Sequence, residues 1–142
     1  MAAINIYLNF NGNCEDAFQF YKSVFGGEYD HFSRFGEMPE SEDYKVPELD
    51  KNKVMHVSLP IGESVLMGSD VGGDWAPSYT LGNNFSVSIT PKSREEADAI
   101  FGALSEGGKV TTPLYNTFWG AYFGMVTDRF GVIWMINLEA QN

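Results

Sequence analysis

Ile4, Ile6, Leu8 and Phe10 alternate with Asn5, Tyr7, Asn9 and Asn11 at the start of the chain. Alternation with a period of two predicts a half-buried strand. Asn11-Gly12-Asn13 breaks it, and Asn13 is placed to cap a helix by accepting from free backbone N–H groups. Ala17, Phe20, Tyr21, Val24 and Phe25 then recur at helical spacing, and Gly26-Gly27 ends the helix. A second strand is expected over 28–35. Met55, Val57 and Leu59 alternate with His56 and Ser58, and Pro60 to Glu63 turn the chain into 64–67, which predicts a β-hairpin.

The pattern then recurs. Phe85, Val87 and Ile89 alternate with Ser86, Ser88 and Thr90. Ser93-Arg94-Glu95-Glu96 is a capping box, in which hydroxyl and carboxylate satisfy opposite orphan donors. Ala97, Ile100, Phe101 and Leu104 form one helical face, and Gly107-Gly108 stops the helix. Strands follow near 109–115 and 121–127, and Asp128-Arg129-Phe130-Gly131 turns into a last one, 132–138. Strand, capped helix, Gly-Gly, strand and hairpin thus occur twice, which predicts two similar units. The expected fold class is α+β, two βαβββ modules: residues 1–72, a connector at 73–83, and residues 84–142. Between 36 and 52 lie six carboxylates with Pro39 and Pro47, which reads as a solvated acidic loop.

At 142 residues, 44% of them hydrophobic, the chain has ample material for a core. Its formal net charge of −10 repels phosphate backbones and anionic lipid surfaces, which argues against nucleic-acid and membrane partners. The single cysteine, Cys14, permits no internal disulfide. With no long apolar run and no basic-then-apolar leader, the expected location is cytoplasmic.

Several strings together resemble the glyoxalase/bleomycin-resistance/dioxygenase (vicinal oxygen chelate) superfamily, and within it the PhnB-like, 3-demethylubiquinone methyltransferase-like branch. They are Tyr7-Leu8-Asn9-Phe10-Asn11-Gly12-Asn13, Ala17 with Phe20-Tyr21, Val24-Phe25-Gly26-Gly27, Met55-His56, Leu66-Met67 with Ser69-Asp70, Phe118-Trp119-Gly120, and Asp128-Arg129-Phe130-Gly131 with Trp134. The resemblance implies curved sheets whose concave faces enclose a pocket, and a homodimer that sometimes exchanges strands. Strand parity agrees with a cavity face: Asn5, Tyr7 and Asn9, His56 and Ser58, and Ser86 and Ser88 each lie opposite an apolar set.

Metal-dependent members of the superfamily hold a divalent ion through His, Gln or Glu on the first and fourth strand of each module. The matching positions fall near Ile6 or Tyr7, Met67 or Gly68, Asn84 or Phe85, and Trp134 or Met135, none of which is His or a carboxylate. No metal and no other cofactor is therefore expected. No glycine-rich nucleotide-binding pattern follows any strand, so a methyltransferase label has no support from a cofactor signature.

His56 is the candidate catalytic residue, since an imidazole on a cavity face can serve as acid, base or hydrogen-bond donor near neutral pH. The competing reading is a histidine bonded to neighbouring backbone. Asp70 is either its carboxylate partner or a cap, and His31 reads as a surface residue. Cys14 is flanked by Glu15 and Asp16, which oppose thiolate formation, so it reads as passive. The expected ligand-binding residues are Tyr7, Asn9, Ser58, Ser86, Ser88, Trp119 and Trp134, with Trp119 at the rim and Trp134 stacking on a planar ligand. For both tryptophans simple core packing is the alternative.

Three function classes remain. The leading one is a protein that binds or sequesters a small molecule without the superfamily metal, as bleomycin-type resistance proteins do. The second is a lyase, isomerase or transferase-type enzyme that uses His56 as acid or base, or a metal at other positions. The third is a structural or regulatory dimer.

Overall fold

The computed structural model describes residues 2–39, 45–72 and 77–140. They form two compact units, residues 1–80 and 81–142. In the first, β1 (Ile6–Phe10) leads into α1 (Cys14–Phe25), followed by β2 (His31–Arg34), β3 (Val54–Ile61) and β4 (Ser64–Asp70). In the second, β5 (Val87–Ile89) leads into α2 (Arg94–Ser105), then β6 (Lys109–Asn116), β7 (Tyr122–Thr127) and β8 (Ile133–Leu138). The sheet orders are β1-β4-β3-β2 and β5-β8-β7-β6, with the first pair parallel and the others antiparallel in each. The two βαβββ modules expected from the repeat are therefore present with the same topology.

Each helix packs on one face of its own sheet. In α1 the buried side chains are Cys14, Ala17, Phe18 and Tyr21, an i, i+3, i+4, i+7 stripe. Phe20, Val24 and Phe25, expected to share that face, are only half-buried. Phe18 takes the central place because Gly68 on β4 makes room for it. A Cβ at Gly68 would lie 2.6 Å from Phe18 Cε1 and 3.0 Å from the Leu8 carbonyl oxygen. In the second unit Gly124 admits Phe101 of α2 the same way, with 2.9 Å to its ring. The buried face of α2 is Ala97, Phe101 and Leu104, as its periodicity predicts.

The helix starts differ. Ser93 caps α2 as expected: its Oγ accepts from Glu96 N at 3.1 Å, while Glu96 Oε1 accepts from Lys92 N at 3.0 Å. Asn13 makes no side-chain cap for α1. Its place is taken by Asp70, 56 positions after Cys14 and buried, whose Oδ1 accepts from Gly12 N and Cys14 N at 3.0 and 2.9 Å. A local capping signal is overridden by a carboxylate arriving from the parallel strand.

Two further expectations are corrected. Arg34 pairs with Val54 while Ser33 pairs with His56, so Met55 is an extra residue on β3. This bulge gives Val54 the buried position that alternation assigns to Met55. The stretch 36–52 is also not wholly solvated. It contains 3₁₀ turns at Phe35–Glu37 and Glu48–Asp50, and Asp50 is buried with Lys53 Nζ at 2.9 Å. Its residues 40–44, and residues 73–76 of the connector, lie outside the described residues. Pro113 is accommodated because β6 is an edge strand.

Arg34 ties β2 to the first turn of α1. Its Nη2 and Nη1 donate to Glu15 Oε2 and Oε1 at 2.6 and 3.0 Å, a two-pronged pair, and Nη1 also donates to the Asn52 carbonyl. The hydrogen bond from Arg34 holds the Glu15 carboxyl below the ordinary glutamate range; burial opposes it, and the charge of Arg34 adds a smaller lowering effect. A lowered folded value means the stabilisation is complete above that ordinary range and is lost as pH falls through the lowered value. Both side chains are about a third exposed, so the pair is worth roughly 0.5–1 kcal/mol near neutral pH. Thermal unfolding of Glu15→Gln should show a deficit of that size near neutrality which closes on acidification below the glutamate range. A deficit independent of pH would assign it to packing instead.

Candidate functional site

The face of the first sheet turned away from α1 gathers the polar side chains. Leu8, Gly68, Val57 and Phe32 are cross-strand partners on the helix side. The next row, Tyr7, Met67, Ser58 and His31, therefore projects the other way. Asn9 pairs with Ser69, and His56 with Ser33, on this same face. Strand parity thus predicts Tyr7, Asn9, His56 and Ser58 correctly as neighbours on one surface.

Tyr7 and His56 are in direct contact. The Tyr7 hydroxyl lies 3.2 Å from His56 Nδ1, and the rings stack with centroids 5.6 Å apart at 25°. When the phenol donates to Nδ1, the proton of the neutral imidazole sits on Nε2, which is then a donor. Tyr7 is 43% exposed, His56 half-buried and Ser58 buried.

His31, which the sequence suggested was a surface residue, is exposed but belongs to the cluster. Its ring centroid is 5.3 Å from that of His56, and its Nε2 is 3.1 Å from the hydroxyl of the buried Ser33. The available signal was parity on β2, where His31 and Ser33 alternate with Phe32. It becomes usable only once the β2–β3 register is known.

Asp70 is not the partner of His56. It pairs with Phe10 on the helix side, and its carboxylate is occupied by Gly12 N, Cys14 N and, through Oδ2, Val54 N at 2.9 Å. Cys14 is fully buried, and burial first, then the charges of Asp70 and Glu15, push its thiol far up. It is no nucleophile.

In the second unit the face turned away from α2 carries Ser88, Met135, Met125 and Thr112 in one row and Asn137, Phe123 and Tyr115 in the next. Ser88 is exposed, and Ser86, one residue before β5, is half-buried. Trp134 is placed elsewhere. It shares a row with Val87 and Val126, is 1% exposed, and donates through Nε1 to Asp128 Oδ2 at 2.8 Å. It is a core residue under α2, and its ring offers no stacking face to a ligand. Trp119 is at the tip of the β6–β7 hairpin, 56% exposed, packed edge-to-face on Phe118 at 4.9 Å.

The superfamily's metal positions fall on β1, β4 and β8 and just before β5. Tyr7 is paired with Met67 on the side away from α1, Asn84 and Phe85 precede β5, and Met135 faces away from α2. A phenol, an amide, a phenyl ring and two thioethers do not fit the imidazole and carboxylate set that a hard or borderline divalent ion takes. Among the described residues no three His, Cys, Asp or Glu side chains come together as a metal cluster. No helix among them is long and apolar enough to cross a membrane.

Two βαβββ modules with these sheet orders define a glyoxalase-fold protein. A glyoxalase/bleomycin resistance protein/dioxygenase family enzyme from Burkholderia phytofirmans matches with a TM-score of 0.60 over 93% of this chain and 95% of its own, a likeness of fold at 18% identity. The family model for 3-demethylubiquinone-9 3-methyltransferase matches residues 2–137, and the chain belongs to that PhnB-like family. Protein PA1353 from Pseudomonas aeruginosa is 43% identical, with a TM-score of 0.81 over 99% of this chain and 100% of its own. The PhnB protein from Bacillus cereus is 26% identical, with a TM-score of 0.73 over 96% and 99%. Protein YjdN from Escherichia coli K12 is 34% identical over 95% of this chain and 94% of its own.

Proposed function

We propose that this protein binds a small organic molecule on the sheet face that carries Tyr7 and His56, without the superfamily metal. The observation that supports it most directly is the Tyr7–His56 pair at 3.2 Å, joined on one face by His31, Ser33 and Ser58. Side chains that pair with one another in a cluster, rather than with backbone, are more costly to assemble than an apolar face and are commonly kept for recognition. The metal positions offer no suitable donors, which supports binding by hydrogen bonds and stacking. Asn9, Ser86, Ser88 and Trp119 are secondary candidates. Trp134 is not.

A second reading rests on the same pair: a lyase, isomerase or transferase-type enzyme in which His56 moves a proton and Tyr7 sets its tautomer. The protein acts in the cytoplasm and as a homodimer in this proposal. Light scattering across micromolar concentrations should give twice the chain mass, and a monomer mass throughout would count against the dimer.

Native mass spectrometry of freshly purified protein tests the binding reading. The expected result is a small-molecule adduct on wild type. Its occupancy should fall about tenfold in His56→Ala, the loss of one ligand hydrogen bond, with the melting temperature nearly unchanged. Equal occupancy in the variant would remove His56 from the site, and absence of any adduct from wild type would count against the reading as a whole.

A further inference from the structure

The chain has 19 Asp and Glu against 9 Lys and Arg, yet the strand residues on the face described above include no carboxylate. The titratable side chains there are Tyr7 from β1, His31 from β2 and His56 from β3, while β4 contributes Val65, Met67 and Ser69. Asp30, one residue before β2, is at the edge and exposed. In a protein this acidic, a face cleared of carboxylates and bearing two imidazoles with centroids 5.3 Å apart is set up for negative charge.

We propose, resting on the reading of this face as the binding site, that its ligand is a small organic acid whose anionic oxygens are held between His31 and His56. Each imidazole has one nitrogen already engaged, His56 Nδ1 with the Tyr7 hydroxyl and His31 Nε2 with Ser33. That leaves His56 Nε2 and His31 Nδ1 for the ligand. An anion bridging the two rings favours the charged form of both imidazoles, and binding therefore takes up protons and tightens as pH falls. The Tyr7 hydroxyl accepts from His56 Nδ1 when that nitrogen carries a proton.

Sodium benzoate and its neutral near-isostere benzamide separate the possibilities. Binding is read from the histidine Cε1–H resonances at about pH 5.5 and about pH 8, which bracket the usual imidazole range. Benzoate is expected to move the resonances of both histidines and to bind about tenfold or more tighter at the lower pH, with benzamide insensitive to pH. His31→Gln, at an exposed position, and His56→Gln, at a half-buried one, should each remove the pH dependence while the amide spectrum stays that of a folded chain. Benzamide binding as tightly as benzoate would overturn the anionic class and leave small-molecule binding standing. Neither compound moving the resonances would sink both. Tight binding of zinc chloride that is lost in both variants, with no response to benzoate, would make the pair a cation site and overturn the proposal.

Discussion

Asp70→Ala is expected to destabilise the first unit by about 3–5 kcal/mol, among the largest losses from any single change outside the apolar core. The residue is 3% exposed, and its two carboxylate oxygens accept from three backbone N–H groups, Gly12, Cys14 and Val54. The first two belong to the β1–α1 junction and the third is the first residue of β3, so one side chain on β4 ties together stretches far apart in sequence. Hydrogen bonds to a charged acceptor are worth about 1.5–3 kcal/mol each in mutational series, and alanine leaves the buried donors unpaired. Asp70→Asn should fall between, because an amide offers one acceptor oxygen where the carboxylate offers two. Urea unfolding gives the total. Amide exchange at Gly12, Cys14 and Val54 gives the local effect, and should speed up together in both variants. A loss below 1 kcal/mol for alanine, or faster exchange at only one of the three amides, would mean that water or a shifted neighbour replaces the carboxylate.

That side chain also marks where sequence reading stops. Periodicity marks both helices, which end at Gly26-Gly27 and Gly107-Gly108, and the strands β1, β3 and β5; the remaining strands follow from the turns between them and from the repeat. The cap of α1 could not be read, since the acceptor comes from β4 and only the parallel β1–β4 pairing brings it to Cys14. The Met55 bulge was hidden for a related reason: a residue inserted against a partner strand leaves the pattern of apolar residues almost intact. Helical spacing does not single out Phe18, because the space for it is supplied by Gly68, whose missing side chain gives no signal in a hydrophobicity pattern.

The candidate site was legible to the extent that parity alone determines it. Tyr7, Asn9, His56 and Ser58 follow from alternation on β1 and β3. His31 needs the register between two strands separated by a long acidic stretch, and two-residue parity on a four-residue strand is weak evidence. Family resemblance puts Trp134 on the ligand face, against its own parity. Its neighbours at the same period, Ile136 and Leu138, are buried, and parity gives the correct side.

Trp134 therefore supports the fold and not the ligand, and the two roles predict different measurements. Trp134→Ala should lower stability by about 3–5 kcal/mol, the usual cost of emptying a large aromatic site beneath a helix. Trp134→Phe keeps most of the apolar volume and removes the Nε1 donor from Asp128 Oδ2, which should cost about 1–3 kcal/mol. Asp128 retains its bonds from Phe130 N and Val132 N at 2.8 and 3.1 Å, so the β7–β8 turn should survive that change. Asp128→Asn should be close in effect to Trp134→Phe, and the double variant should cost less than the sum, because both single changes break the same contact. The fluorescence lost in Trp134→Phe should be the blue-shifted part of the emission, from an indole shielded from water, and the exposed Trp119 should continue to emit at longer wavelength. Ligand occupancy in Trp134→Phe should match wild type once stability is allowed for, since the ring lies on the α2 side of the sheet. A selective loss of ligand with little loss of stability would return Trp134 to the binding face and overturn the parity assignment of β8.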